Sequence, residues 1–299
     1  MNTTLPDTLC DLDGDLLPLS QARVSVMDRG FLFGDGVYEA IPVYARRPFR
    51  LDDHLDRLAR NLDALRIPAP AGLASREDWR TRLQRVVQAH PAEDQMLYLQ
   101  VTRGVALRDH VPPPGLQPTV FIMTQPWSGV PAAQRHQGVA CVTARDVRWE
   151  RGQLKTISLL GNVLARQVAA DHGAAETILL RDGVPGGPWL TEGSSSNVWL
   201  VHEGALLGPP MNEHVLAGVR VGLLRELCEE EGIAFNLRPL SEADLRAADE
   251  VLLSSAGREV LAVTRIDDEP VGHGALRGKP GPVYARLYEA YQRAKRQPA

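Results

Sequence analysis

Basic charge in excess, paired cysteines and long apolar runs are what this chain lacks. Its 299 residues carry a formal net charge of -4 and a pI near 6.1. No basic excess is left for a nucleic-acid backbone, although a local basic site for a phosphate or carboxylate stays open. The three cysteines, Cys10, Cys141 and Cys228, are far apart, odd in number and without a Cys-x-x-Cys pair. That argues against a disulfide framework and against a structural zinc site. The eight histidines supply no His-Glu-x-x-His pair, so no metal is expected. No stretch reaches eighteen consecutive apolar residues, and Met1 to Asp15 lacks a basic region followed by an apolar core. The expectation is a cytoplasmic protein with neither a membrane nor a nucleic acid as partner. An apolar content of 44% is ordinary for a globular chain, and the length allows two domains.

What is present divides at a turn-rich segment. Gln125-Pro126-Trp127-Ser128-Gly129-Val130-Pro131 holds two prolines, a glycine and a serine, which marks residues 125–132 as a linker between a small domain, 1–124, and a larger one, 133–299. Before it, leucines at 55, 58, 62 and 65 recur at helical spacing within His54 to Leu65. A second helix starts at Ser75, with Asp78 three residues on, and stops near His90 before Pro91. Met96 to Arg103 reads as a strand. Beyond the linker, Gly138 to Val147 and Ala175 to Leu180 read as strands, and Ser158 to Asp171 as a helix stopped by Gly173. Asn197 to Val201 and Ala205 to Leu207 form a hairpin about Gly204, and Val219 to Gly232 and Pro282 to Arg296 are helices. Hairpins with interspersed helices argue for an α+β protein of two unequal domains.

The chemistry is concentrated around Lys155, alone in the largely apolar run Leu154 to Leu160, with Thr191-Glu192-Gly193-Ser194-Ser195-Ser196-Asn197 about one βα unit later. An amine with little water around it favours its neutral form, and a neutral amine condenses with an aldehyde. Alone, such a lysine is more often a snorkelling side chain with its head in water. Arg57, in turn, reads by spacing as a helix-face partner of Asp53 or Asp56.

Six segments occurring in one order shift both readings. Asp28-Arg29-Gly30, Gly34 to Glu39, His54 to Leu58, Lys155 with Leu159 to Asn162, Thr191 to Asn197, and Leu216 to Val219 resemble the fold-type IV pyridoxal-phosphate enzymes over about Val24 to Val260. The resemblance implies a smaller N-terminal α/β domain and a larger C-terminal domain on a β-barrel-like core. It implies pyridoxal 5'-phosphate as cofactor, held as a Schiff base by Lys155, which also moves the substrate proton. Glu192 then stands by the pyridine nitrogen, Asn197 donates to the ring hydroxyl, and Leu216 packs on the ring. Arg57, the helix start at Gly218, Val219 and Arg220, and Ser255 with Ala256 are implied for the phosphate, with Ser195 and Ser196 also toward the cofactor. Two departures stand out: the run at 182–190 is long, and Gly257-Arg258 replaces small hydroxyl residues.

Within the family, Arg108-Asp109-His110 resembles the substrate-carboxylate trap of the D-amino acid aminotransferases, with Tyr38 and Tyr98 at their pocket positions. The trap resembles a contribution from a neighbouring subunit, which implies a homodimer. The expected activity is transfer of an amino group from a D-amino acid to a 2-oxo acid, both small molecules. The alternatives are a branched-chain L-amino acid aminotransferase, an aminodeoxychorismate lyase, an (R)-amine transaminase, and, in a different class, a non-catalytic binding module.

Overall fold

The computed structural model describes residues 7–182 and 187–296. It contains two compact units: residues up to Ser128 together with Leu154–Leu159, and Gly129–Gln153 together with the residues from Leu160 on. Each mixes helices with strands, giving the α+β class expected. No helix among the described residues is long and apolar enough to cross a membrane.

The first unit is built on a six-stranded sheet in the order Asp15–Pro18, Leu9–Leu12, Thr119–Pro126, Gln95–Thr102, Gly36–Tyr44, Arg47–Pro48. Every neighbouring pair is antiparallel. Val37, Ile41, Leu97, Leu99 and Ile122 share one buried cluster with Leu55, Leu58 and Leu62 of the helix Leu51–Ala64 and with Leu83 and Val86 of Arg76–Ala89. Burying each such side chain contributes about 1.5–3 kcal/mol. The second helix starts as its sequence dictates, with Ser75 and Asp78 in a reciprocal capping box. Because strand side chains alternate, Glu39 falls on the face of Val37 and Ile41, toward the helices, while Tyr38 and Tyr98 fall on the other.

One assignment changes. Lys155, expected in the domain 133–299, folds with the first unit. The cause is backbone pairing: Val37 and Thr156 form an antiparallel bridge, Tyr38 N–H donates to the Lys155 carbonyl at 3.1 Å, and Ile157 N–H to the Gly36 carbonyl at 3.1 Å. Ser158 Oγ adds a bond to the Gly34 carbonyl at 3.0 Å. Gly34 caps the short helix Arg29–Phe33 with φ of 66°, and a Cβ there would lie 2.5 Å from Ser158 Oγ. Both the turn and the close approach need glycine. The segment read as a linker is not wholly irregular either, since Gln125 and Pro126 end a strand and Ala132 opens the helix Ala132–Gln137.

The second unit carries a nine-stranded sheet in the order Phe235–Leu237, Ala205–Gly208, Asn197–His202, Glu250–Ser255, Glu259–Ile266, Val139–Arg145, Glu176–Arg181, Trp189–Gly193, with Glu269–Pro270 paired to Glu259–Ile266. Three of its pairings are parallel. The hairpin turns through Glu203 and Gly204 at φ of 50° and 77°, the left-handed pair of a type I′ turn. The helix Leu160–Asp171 is followed by Gly173 at φ of 62°. The helix Pro282–Arg296 buries Tyr284, Leu287 and Tyr291, and Tyr288 is half-buried. Of the long run at 182–190, residues 183–186 lie outside the described residues.

Candidate active site

The chain contains only three lysines, Lys155, Lys279 and Lys295. Lys279 is exposed and bonds the Ala275 carbonyl, and Lys295 pairs with Glu259 at 2.7 Å. Lys155 differs from both. It is half-buried, its Nζ lies 4.0 Å from the centroid of the Tyr38 ring, and among the described residues it has no hydrogen-bond acceptor. An amine set over a ring face without an acid partner is placed for nucleophilic use. Tyr98 lies beside Tyr38, with ring centroids 5.8 Å apart, and gives its hydroxyl to Gln100 at 2.7 Å. Burial, then the neighbouring Tyr38, pushes the Tyr98 hydroxyl up to about 12.

On the opposite face of the same strand, Glu39 meets His54 and Arg57. Arg57 is 6% exposed and donates from Nε and Nη2 to the two Glu39 oxygens at 2.8 and 2.7 Å, while His54 Nδ1 lies 2.7 Å from Oε2. Arg57 is therefore not a solvated partner of Asp53 or Asp56. Burial alone would raise the Glu39 carboxyl, but Arg57 and His54 bring it down to about 2. The sign follows directly: a carboxyl held below its ordinary value near 4.5 stabilises the fold above that pH, and the contribution is lost as the pH falls toward 2. We expect Glu39→Gln to lower the melting temperature at pH 7, by about 3 kcal/mol or more in stability. The gap to wild type should narrow between about pH 4.5 and pH 2. Thermal unfolding across that range is the check, and a constant gap would contradict it.

Arg108 and His110 lie on an exposed loop of the first unit, the Arg108 guanidinium 5.3 Å and the His110 ring 5.5 Å from the Phe33 ring centroid. Among the described residues Arg108 forms no ion pair. Lys155, Tyr38, Tyr98, Arg57, Arg108 and His110 thus all belong to the first unit, and the other expected site residues to the second.

In the second unit the centre is Glu192, 6% exposed at the end of a strand. Its Oε1 accepts from Arg148, and its Oε2 from the Leu216 N–H at 3.1 Å and Asn197 Nδ2 at 3.3 Å. Burial raises the Glu192 carboxyl to about 7 against the pull of Arg148 and the Leu216 N–H. Asn197 Nδ2 also donates to the Leu216 carbonyl at 2.9 Å. Both Asn197 N–H groups are thus engaged within the protein, bracing Glu192. Leu216, expected to pack through its side chain, takes part here through its peptide group. A Cβ on Gly218 would lie 2.3 Å from Asn197 Oδ1, so only glycine fits. Gly218 caps the helix Val219–Glu230 without a side-chain bond, its carbonyl taking the Val221 N–H at 2.9 Å, and the dipole at such a helix start favours an anion. The Arg220 guanidinium is buried and lies 5.9 Å from the Tyr291 ring centroid, so what Arg220 offers at the helix start is its backbone.

Ser195 and Ser196 turn their hydroxyls to Glu176, at 2.8 and 2.9 Å, as does Ser194. A fully buried carboxylate gathers these donors because it has lost water. Arg258 closes the cluster, 3.3 Å from Glu176, with a bond to the Ala175 carbonyl and its N–H on Ser255 Oγ at 3.2 Å. Ser255 ends its strand, and Ala256 lies in the turn after it.

The sequence reading missed Arg148, Asp146, Glu39 and Glu176. Asp146 holds Arg148 through Nε at 3.0 Å and Nη2 at 2.9 Å, and so aims it at Glu192. The signals were present: Glu39 stands inside the Gly34 to Glu39 segment, Glu176 opens an apolar strand, and the scarcity of lysine singles out Lys155.

Comparison with known proteins adds independent evidence. The family model for amino-transferase class IV matches residues 36–266. A D-alanine aminotransferase of Bacillus licheniformis is 36% identical over 280 residues, 94% of each chain. The structure of a branched-chain amino acid aminotransferase from Escherichia coli superposes with a TM-score of 0.83 at 25% identity, covering 96% of this chain and 94% of that one. A 4-amino-4-deoxychorismate lyase from Pseudomonas aeruginosa gives 0.80 at 31%, covering 95% and 98%.

Proposed function

The chain belongs to the class IV amino-transferases, and from that premise we propose that it moves an amino group from a D-amino acid, of the D-alanine or D-glutamate type, to a 2-oxo acid such as 2-oxoglutarate or pyruvate in a ping-pong cycle. The observation that carries the reading is Lys155, the one lysine of three set over a tyrosine ring with no acceptor among the described residues. The residues present suit pyridoxal 5'-phosphate: an amine for its aldehyde, a buried acid for its ring nitrogen, and an uncapped helix start for its phosphate. When bound, that cofactor takes up the amino group and withdraws electrons from the substrate's α-carbon.

Lys155 Nζ holds the cofactor between cycles and, once displaced by the donor amine, takes the proton from the substrate Cα and returns one on the same face. Glu192, aimed by Arg148, keeps a proton on the ring nitrogen. The Gly218 helix start, the Ser255 and Ala256 turn and Arg57 hold the phosphate. Arg108 and His110 bind the substrate carboxylate and so fix which α-hydrogen is presented, with Tyr38 and Tyr98 lining the pocket. The protein works as a homodimer in the cytoplasm. Phe31 and Leu107, 71% and 87% exposed, are apolar side chains that a partner subunit would cover.

The test is a coupled assay with D-alanine and 2-oxoglutarate, run beside the L enantiomers. D-glutamate formed from the D donor at least about a hundredfold faster than from the L donor is the expected result, a preference two kinds of charged hydrogen bond can supply. A branched-chain aminotransferase is the second reading, favoured by the Escherichia coli structure, and faster turnover of L-leucine would establish it. Pyruvate released by elimination from 4-amino-4-deoxychorismate, with no amino acceptor present, would indicate a lyase.

A further inference from the structure

Arg29 is 4% exposed, yet it sits in a five-residue helix beside an exposed loop. Its whole guanidinium is engaged: Nε with Asp35 at 2.8 Å, Nη1 with the Asp109 carbonyl at 2.6 Å, and Nη2 with the His110 carbonyl at 3.1 Å. Asp35 is itself held by Arg103, at 2.8 and 2.9 Å, and Arg103 also bonds the Leu65 and Arg66 carbonyls. The backbone of Asp109 and His110 is therefore tied, through one buried arginine, to the rigid end of the sheet.

Phe33, at the far end of the same short helix, receives three groups on its ring. Arg29 lies 4.8 Å from its centroid, Arg108 5.3 Å, and the His110 ring 5.5 Å at a tilt of 40°. An arginine on an exposed loop samples many rotamers, and ordering it costs entropy each time it grips a ligand. A ring face that attracts the guanidinium removes much of that freedom beforehand while leaving its N–H edge free for a carboxylate.

We propose that Phe33 and Arg29 are positioning residues that preset Arg108 and His110 for a carboxylate-bearing substrate, Arg29 by fixing the loop backbone and Phe33 by fixing both side chains. The inference rests on the reading of Arg108 and His110 as the carboxylate trap. Neither residue touches the reacting atoms, so the effect falls on substrate affinity and not on turnover at saturation.

The test uses the holoenzyme, with propionate, which is D-alanine without its amine, as the binding probe. Arg108→Ala is measured first and should raise the propionate inhibition constant about a hundredfold, the scale of a lost charged bidentate bond. Phe33→Leu, which keeps apolar bulk but removes the ring, should raise that constant and the KM for D-alanine about tenfold while kcat stays within about twofold. Phe33→Tyr, which restores a ring face, should behave as wild type. A fall in kcat matching the rise in KM overturns the inference, since a misfolded or structural variant would behave so. Unchanged propionate binding in Phe33→Leu also overturns it, provided Arg108→Ala weakens that binding. If Arg108→Ala binds propionate as wild type does, the trap reading itself fails, and this inference with it.

Discussion

Lys155→Ala is expected to lower kcat for D-alanine and 2-oxoglutarate by about 10⁴-fold or more, measured at saturating cofactor. Two losses combine, since on the proposed reading the same nitrogen tethers the cofactor and moves the substrate proton. No other lysine can replace it: Lys279 bonds a carbonyl on the surface, and Lys295 is tied to Glu259 and Gln292. The fold should hardly notice the change. Lys155 Nζ rests against the Tyr38 ring, a contact worth about 0.5–2 kcal/mol. The strand-like pairing of its segment runs through backbone groups that alanine retains. A melting temperature near wild type with activity abolished is therefore the expected pair of results. A variant keeping a tenth of the activity would contradict the role assigned to this amine.

Glu192→Gln is the second large effect, an expected fall of about 10²–10³-fold in kcat. Glutamine matches glutamate in size and can still accept from the Leu216 N–H and Asn197, so the loss is chiefly of charge. Burial holds the Glu192 carboxyl up near 7, above its ordinary value, against the pull of Arg148. A raised carboxyl keeps its proton to a higher pH, so in the cofactor-free protein the carboxylate is lost as the pH falls through about 7. Cofactor affinity should accordingly rise with pH through that region in wild type and be flatter in Glu192→Gln. Titration of cofactor binding by fluorescence at several pH values reads this directly, and parallel profiles for the two proteins would count against Glu192 as the acid that faces the ring nitrogen.

Local features of the fold were legible in the sequence because local physics sets them. The leucines at 55, 58 and 62 face the core, Ser75 and Asp78 cap their helix, and Gly204 turns its hairpin, as spacing and side-chain chemistry require. Charge partners were not legible, because they are chosen across the fold. Helical spacing offers Arg57 the nearby Asp53 and Asp56, but those are half-buried and paired with Arg50 and Arg76, whereas Glu39 is fully buried and must find a cation, so the pair forms between a strand and a helix. Likewise the Arg148 and Glu192 pair, and the three serines on Glu176, depend on strands that only the sheet order brings together. Motif order singles out Lys155, yet its place in the first unit depends on the bridge of Thr156 to Val37, far earlier in the chain.

The central claim is that a single amine, Lys155 Nζ, carries the cofactor. Borohydride reduction of the holoenzyme makes that attachment permanent, and with only three lysines in the chain, peptide mapping by mass spectrometry assigns it without ambiguity. The pyridoxyl mass should appear on the peptide containing Lys155 and nowhere else; its absence there, or its presence on Lys279 or Lys295 instead, would contradict the account.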